Sequence, residues 1–199
     1  MFSVPKYSKA LDKLRVERNV EGLFQTNLVA VDPNRRLATF EKVSQSFSQS
    51  GQQIQRSYDM LHVTPPQKAH AFIASSPLAD KTSGFVKVSS ETLQHPDFPN
   101  IFSMGDSAGL PTSKTAAAIS SQAPVLVDNL LAVMRNEKPF SAYQGYSSCP
   151  LLTGHGELML CEFKYGGVPA ETFAPFLGSQ DKPRRLFYHL KKDVFPPVY

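Results

Sequence analysis

Residues 99–129 read PNIFSMGDSAGLPTSKTAAAISSQAPVLVDN. Residues 101–104 are apolar and predict a short strand. Gly105-Asp106 stands at the strand's end, and a loop of small residues follows. Lys114-Thr115-Ala116-Ala117-Ala118 then opens a helix extending to Arg135. Strand, Gly-Asp turn and helix N-terminus in that order predict an α/β protein with a ligand site at the turn. The Asp106 carboxylate can accept hydrogen bonds. The helix N-terminus offers unpaired N–H groups and the positive end of a dipole. An acceptor and an anion-favouring helix end, flanked by residues too small to block a flat ring, suit a flavin. Asp106 would take a ribityl hydroxyl, and Lys114 with the helix end would face the N1/C2=O edge. Lys114 is unfavourably placed in the first helical turn, which also points to a ligand.

The flanking elements are read more coarsely. Tyr7, Leu11 and Leu14 fall on one face of a helix over residues 6–18. Residues 28–31 and 37–40 are short strands joined by Asp32-Pro33-Asn34-Arg35. Residues 44–57 hold ten Ser or Gln in fourteen positions and predict a flexible tip or insertion. Residues 58–63 (YDMLHV) predict a buried strand stopped by Thr64-Pro65-Pro66. Short strands are expected at 85–88 and 157–163, and a basic helix at 183–192. Pro124 is expected to kink or split the long helix, and the apolar second half of that helix to be buried.

Composition excludes several classes. The chain has 199 residues, a formal net charge of +4 and 19% charged residues. Its basic residues are scattered apart from Lys182, Arg184, Arg185, Lys191 and Lys192, so no nucleic-acid partner is expected. The five histidines lack ligand spacing and no metal site is predicted. No apolar run reaches about 18 residues, the length a membrane span needs, and the first residues carry no targeting signal. The basic, aromatic C-terminal stretch suits peripheral contact with a membrane. No G-x-G-x-x-G follows a strand, so the usual dinucleotide fingerprint is absent from these residues. Of two cysteines, Cys149 precedes a proline among small polar residues and predicts an accessible, redox-active loop thiol. Cys161 lies in an apolar strand pattern and reads as structural. Nothing in the sequence sets the two side by side.

The segments MLHVTPPQ, NIFSMGDSAGLPTSKTAAA and YQGYSSCPLLTG together resemble the C-terminal half of the mitochondrial type of sulfide:quinone oxidoreductase. The resemblance implies part of a glutathione-reductase-like fold with two dinucleotide-binding domains, its N-terminal FAD half lying outside this chain. On that reading residues 1–95 are the remainder of the second domain, with an insertion at 44–57. Residues 96–135 close the FAD-binding domain, and residues 136–199 hold the redox loop and a shortened membrane- and quinone-side tail. The resemblance implies FAD as cofactor, with Gly105, Asp106, Lys114, Thr115, Ala116 and Ala117 as its contacts. It makes Cys149 the catalytic cysteine that carries persulfide sulfur. It further implies sulfide as substrate, ubiquinone as electron acceptor, and glutathione, sulfite or cyanide as sulfur acceptor, at the mitochondrial inner membrane. The partner cysteine is expected outside these residues, so the chain is read as a fragment unable to turn over alone. An inactive remnant serving as a binding module, or part of a sister NADH:quinone flavoenzyme, stands as the alternative.

Overall fold

A computed structural model describes residues 2–43 and 49–198. The chain divides into two compact units, Arg15–Gln67 on one hand and Met1–Leu14 with Lys68–Tyr199 on the other.

The smaller unit is an antiparallel sheet, β1 (Thr26–Asp32), β2 (Leu37–Val43) and β3 (Gln49–Ser57), in the order β1-β2-β3. The β1–β2 turn is closed by the Asp32 carboxylate, which accepts the Arg35 N–H at 3.0 Å. Arg36 takes a positive φ of 52°. The low-complexity segment was expected to be a flexible tip; its second half is instead β3, paired with β2 from Leu37↔Ser57 to Val43↔Gln49. Backbone groups make those bonds, so Ser and Gln side chains do not prevent them. Residues 44–48 of that expectation lie outside the described residues. The strand expected at 58–63 does not form. Met60 is 85% exposed and Val63 is 51% exposed, so the apolar run has no ladder and no core.

The larger unit carries the rest. It begins with the helix α1 (Pro5–Glu17), which leaves this unit after Leu14. A short turn of helix, α2 (Ala71–Ala74), leads into irregular chain where single bridges replace the expected strands: Val86 pairs with Ala79 and Ala108, and Phe102 with Gln94. A 3-10 turn at Gly105–Ser107 precedes the long helix α3 (Ala116–Met134), which runs continuously through Pro124. A second sheet follows in the order β4-β5-β6, from β4 (Ser147–Gly154), β5 (Glu157–Lys164) and β6 (Val168–Pro169). Short helices α4 (Ala174–Leu177) and α5 (Arg185–His189), a π-helical turn at Leu190–Val194 and α6 (Phe195–Val198) complete the unit.

β5 is buried on both faces. Met159, Cys161 and Phe163 pack on Val4 and Tyr7 of the N-terminal segment, while Leu158 and Leu160 pack on Phe187 of α5. Alternation along the strand thus serves two cores. Glu162 is 3% exposed on the α5 side. Its carboxylate accepts from the Tyr146 hydroxyl, the Thr172 N–H and hydroxyl, and Gln180 Nε2. Such complete satisfaction is what makes a buried carboxylate tolerable.

The long helix departs from its expected burial. Val127, Leu131 and Met134 are 49%, 44% and 71% exposed. The buried stripe is Ala117, Ala118, Gln122, Asn129 and Ala132. By length and hydropathy α3 is apolar enough to cross a membrane, against the expectation that no segment would be. Its buried polar side chains are tied to neighbouring loops, which is the work of a packing helix. Taken together, the architecture is mixed α/β with two small antiparallel sheets.

Candidate functional site

Two sequence-distant segments, residues 105–115 and residues 145–147, meet at the N-terminus of α3. Gly105 takes φ +63° and donates its N–H to Gln122 Oε1 at 2.7 Å, which fixes the Gly-Asp turn to the helix. A Cβ at Gly105 would come within 3.1 Å of Ile119, so positive φ and close approach both require glycine. Thr115 caps α3, its hydroxyl accepting from the Ala118 N–H at 3.1 Å. The same oxygen lies 3.0 Å from Ser147 Oγ, and Ser147 in turn reaches the Ser113 carbonyl at 3.3 Å. Thr112 Oγ1 donates to the Gly145 carbonyl at 3.0 Å. Residues 112–115 are thereby stitched to residues 145–147, two positions before Cys149.

Asp106 and Ala116 are exposed, Ala117 is buried, and Thr115 is half-buried. Capping by Thr115 satisfies one of the orphan N–H groups at the helix start and leaves the first turn as a donor surface. A free carboxylate, helical N–H donors and small side chains form a donor and acceptor set that fits one edge of a flavin. Lys114 is engaged differently from the sequence reading. Its ammonium donates to the Asp106 and Ala108 carbonyls at 2.9 and 2.7 Å and stands 4.0 Å from the centre of the Phe85 ring. Burial pulls its pKa below the usual lysine value, opposed by the Asp106 charge. The amine therefore pins the loop as well as lending charge to it.

Cys149 is not in a loop. It lies in β4, half-buried, and faces Cys161 directly across the β4–β5 ladder. The expectation that the two cysteines stand apart is overturned by this register. A hairpin closed at Gly154↔Glu157 and regular throughout would set Cys149 against Glu162. An irregularity between Leu152 and Gly154 shifts the register by one residue and brings Cys161 opposite instead. The Cys149 thiol pKa lies above its ordinary value. Burial raises it, against the Ser113 hydroxyl and the Lys191 ammonium, which lower it. Cys161 is fully buried and its pKa lies still further above the ordinary thiol value, chiefly through desolvation and then through Cys149.

A cavity of about 470 Å³ opens beside this region, lined by Ser3, residues 110–113, Phe163, Lys164, Gly166 and Gly167. It shares Ser113 with the Cys149 environment; Asp106 and Ala116 lie outside it. Sequence reading missed Ser113, Gln122, Ser147 and Lys191. A polar Gln122 inside an apolar helix was the available signal; the others depend on tertiary contacts.

Over its whole length this chain is 47% identical to a sulfide:quinone oxidoreductase, mitochondrial, of Schizosaccharomyces pombe. It is 46% identical to the protein of that name from Dictyostelium discoideum and 42% identical to that from Mus musculus. This chain resembles the mitochondrial sulfide:quinone oxidoreductases. It spans 42–43% of the length of these sulfide:quinone oxidoreductases. Among solved structures, a chain in the cryo-EM structure of the Tetrahymena thermophila mitochondrial ATP synthase superposes with a TM-score of 0.79. That match has 26% identity and covers 98% of this chain and 45% of the other. No family model matches.

Proposed function

We propose that this chain is the C-terminal half of an FAD-dependent sulfide:quinone oxidoreductase acting at the mitochondrial inner membrane. The observation that carries the reading is the convergence of Gly105-Asp106, Thr115–Ala117 and Ser147–Cys149 on one helix end. They fall in two of the three segments on which the resemblance to the sulfide enzymes rests.

When bound, FAD would supply two-electron redox chemistry between sulfur and ubiquinone. The chain's own residues would do the rest. Asp106 accepts a ribityl hydroxyl. Gly105, Ala116 and Ala117 keep the backbone open to a flat ring. The N–H groups at the start of α3 favour negative charge at the ring edge. Lys114 adds positive charge while holding the Asp106 and Ala108 carbonyls in place. Cys149 acts as the nucleophile and carries sulfane sulfur until glutathione, sulfite or cyanide accepts it. The Ser113 hydroxyl and Lys191 favour its thiolate against burial.

Titrating the purified chain with FAD and following flavin fluorescence tests the cofactor contacts. Quenching is expected, several-fold weaker in affinity for Asp106→Ala. Quenching unaltered by Asp106→Ala, or none at all, overturns the assignment. In a full-length enzyme that contains these residues, adding sulfide should bleach the visible flavin band, and Cys149→Ser should abolish the bleach.

A further inference from the structure

Cys149 and Cys161 share more than proximity. They are directly opposed within a stretch of uninterrupted register from Ser147↔Phe163 to Leu152↔Leu158. Opposed residues of an antiparallel pair project to the same face with Cα atoms about 4.5–5.5 Å apart. A disulfide accepts Cα separations of about 4.4–6.8 Å. Both thiols pack in the cluster that Tyr7, Met159 and Phe163 build. Access is unequal: Cys161 is 0% exposed, whereas Cys149 is half-buried. A reagent in solution therefore meets Cys149 first, and Cys161 is reached only by what Cys149 already holds.

We propose that Cys149 and Cys161 are an attacking and a resolving thiol, converted by a small-molecule disulfide into a cross-strand disulfide. The Cys149 thiolate attacks one sulfur of the small disulfide. That S–S bond breaks, a Cys149 mixed disulfide forms, and one small thiolate leaves and takes up a proton. The Cys161 thiolate then attacks the Cys149 sulfur, the mixed disulfide breaks, and the second small thiolate departs. The two protein thiols lose two electrons and two protons, and the small disulfide gains them as two thiols. The inference stands on the ladder register and holds whether or not Cys149 is a sulfide nucleophile. If it is, closure of the bridge withdraws it from reaction and reduction by a thiol restores it.

The test uses the purified chain with hydroxyethyl disulfide, without flavin or sulfide, quenched with acid at intervals and weighed intact. A transient adduct on Cys149 is expected, converting to a product lighter than the starting chain by two hydrogens, with the Cys149 and Cys161 peptides linked. Cys161→Ala should stop at the stable adduct, and Cys161→Val should do the same should the alanine variant prove poorly folded. Cys149→Ala should remain unmodified. A wild-type chain that keeps its adduct, carries adducts on both cysteines or stays unmodified overturns the proposal. The time course is read in the wild-type protein and so does not depend on any variant folding.

Discussion

At Cys149, burial competes with two helpers and wins. Desolvation disfavours the thiolate, while the Ser113 hydroxyl and then Lys191 favour it, and the pKa lies above the ordinary thiol value of 9.0. The thiolate is the reacting species, so alkylation of Cys149 by iodoacetamide in the native chain should accelerate with pH through a midpoint above that of free cysteine. Ser113→Ala should move that midpoint higher and slow alkylation several-fold at a fixed mildly alkaline pH. Lys191→Ala should slow it less, because Lys191 is exposed and its charge is screened by salt. A midpoint at or below the free thiol's, or a larger effect from Lys191 than from Ser113, would contradict this ordering. Ser-Cys-Pro read as an accessible loop thiol, which the β4 ladder overturns, and the electrostatics of Cys149 were not legible. They depend on Ser113, 36 positions earlier, and Lys191, 42 positions later, and no local pattern encodes either contact.

At the scale of elements, α3 illustrates how a hydrophobicity pattern misleads. Counting Val and Leu predicts a buried second half. The stripe that is buried runs through Ala118, Gln122, Asn129 and Ala132, at helical spacing. Asn129 is 0% exposed, and it stitches two loops to the helix. Its Nδ2 donates to the Thr92 and Ser141 carbonyls at 3.0 and 2.8 Å, and its Oδ1 accepts the Phe140 and Ser141 N–H groups at 2.9 and 2.8 Å. Asn129→Ala strands those backbone groups and should cost about 2–4 kcal/mol in urea unfolding. Asn129→Asp keeps the Oδ1 acceptor but sets a buried carboxylate oxygen against the Thr92 and Ser141 carbonyls, and should cost at least as much. Pro124 lies mid-helix and exposed, with no N–H to give. Pro124→Ala restores that donor and should raise stability by about 1–2 kcal/mol, after allowing for the greater freedom of the unfolded chain. Equal stability in both variants and the parent would mean that α3 is not held as described. Helix existence was readable from residues 114–118; the capping role of Thr115 was not read there. Which stripe turns inward was not, because loops buried it. Nor was β3, whose pairing rests on backbone groups that Ser and Gln composition does not report, nor the one-residue shift near Thr153 that opposes the cysteines.

At the scale of the whole molecule, the first residues hold the site's sheet together. Tyr7 Oη lies 2.9 Å from the Glu162 carbonyl and 3.1 Å from Glu171 Oε1, and accepts the Glu162 N–H at 3.2 Å. Lys6 pairs with Glu171 at 2.7 Å. Phe2 meets both Tyr7 and Phe163 edge-on, with ring centres 6.0 and 5.7 Å apart. Closing a loop of 155 positions onto β5 makes this contact invisible to any local sequence pattern. It also gives the fold a signature in alkali. Burial raises the pKa of Tyr7 and of Cys161 well above their ordinary values, 10.0 and 9.0. The folded state therefore keeps protons that the unfolded chain releases. The stability tied to these groups is complete below the unfolded thiol's pKa and is lost as pH rises through the thiol and phenol ranges. The urea midpoint should hold near neutral pH and fall as pH rises through that range. Tyr7→Phe should lower the midpoint at neutral pH, by about 1–3 kcal/mol, and flatten the alkaline fall. Cys161→Ala should flatten its earlier part, where thiols titrate. If both variants lose stability with pH as steeply as the parent, neither group is buried in its neutral form as the packing of the N-terminal segment on β5 requires.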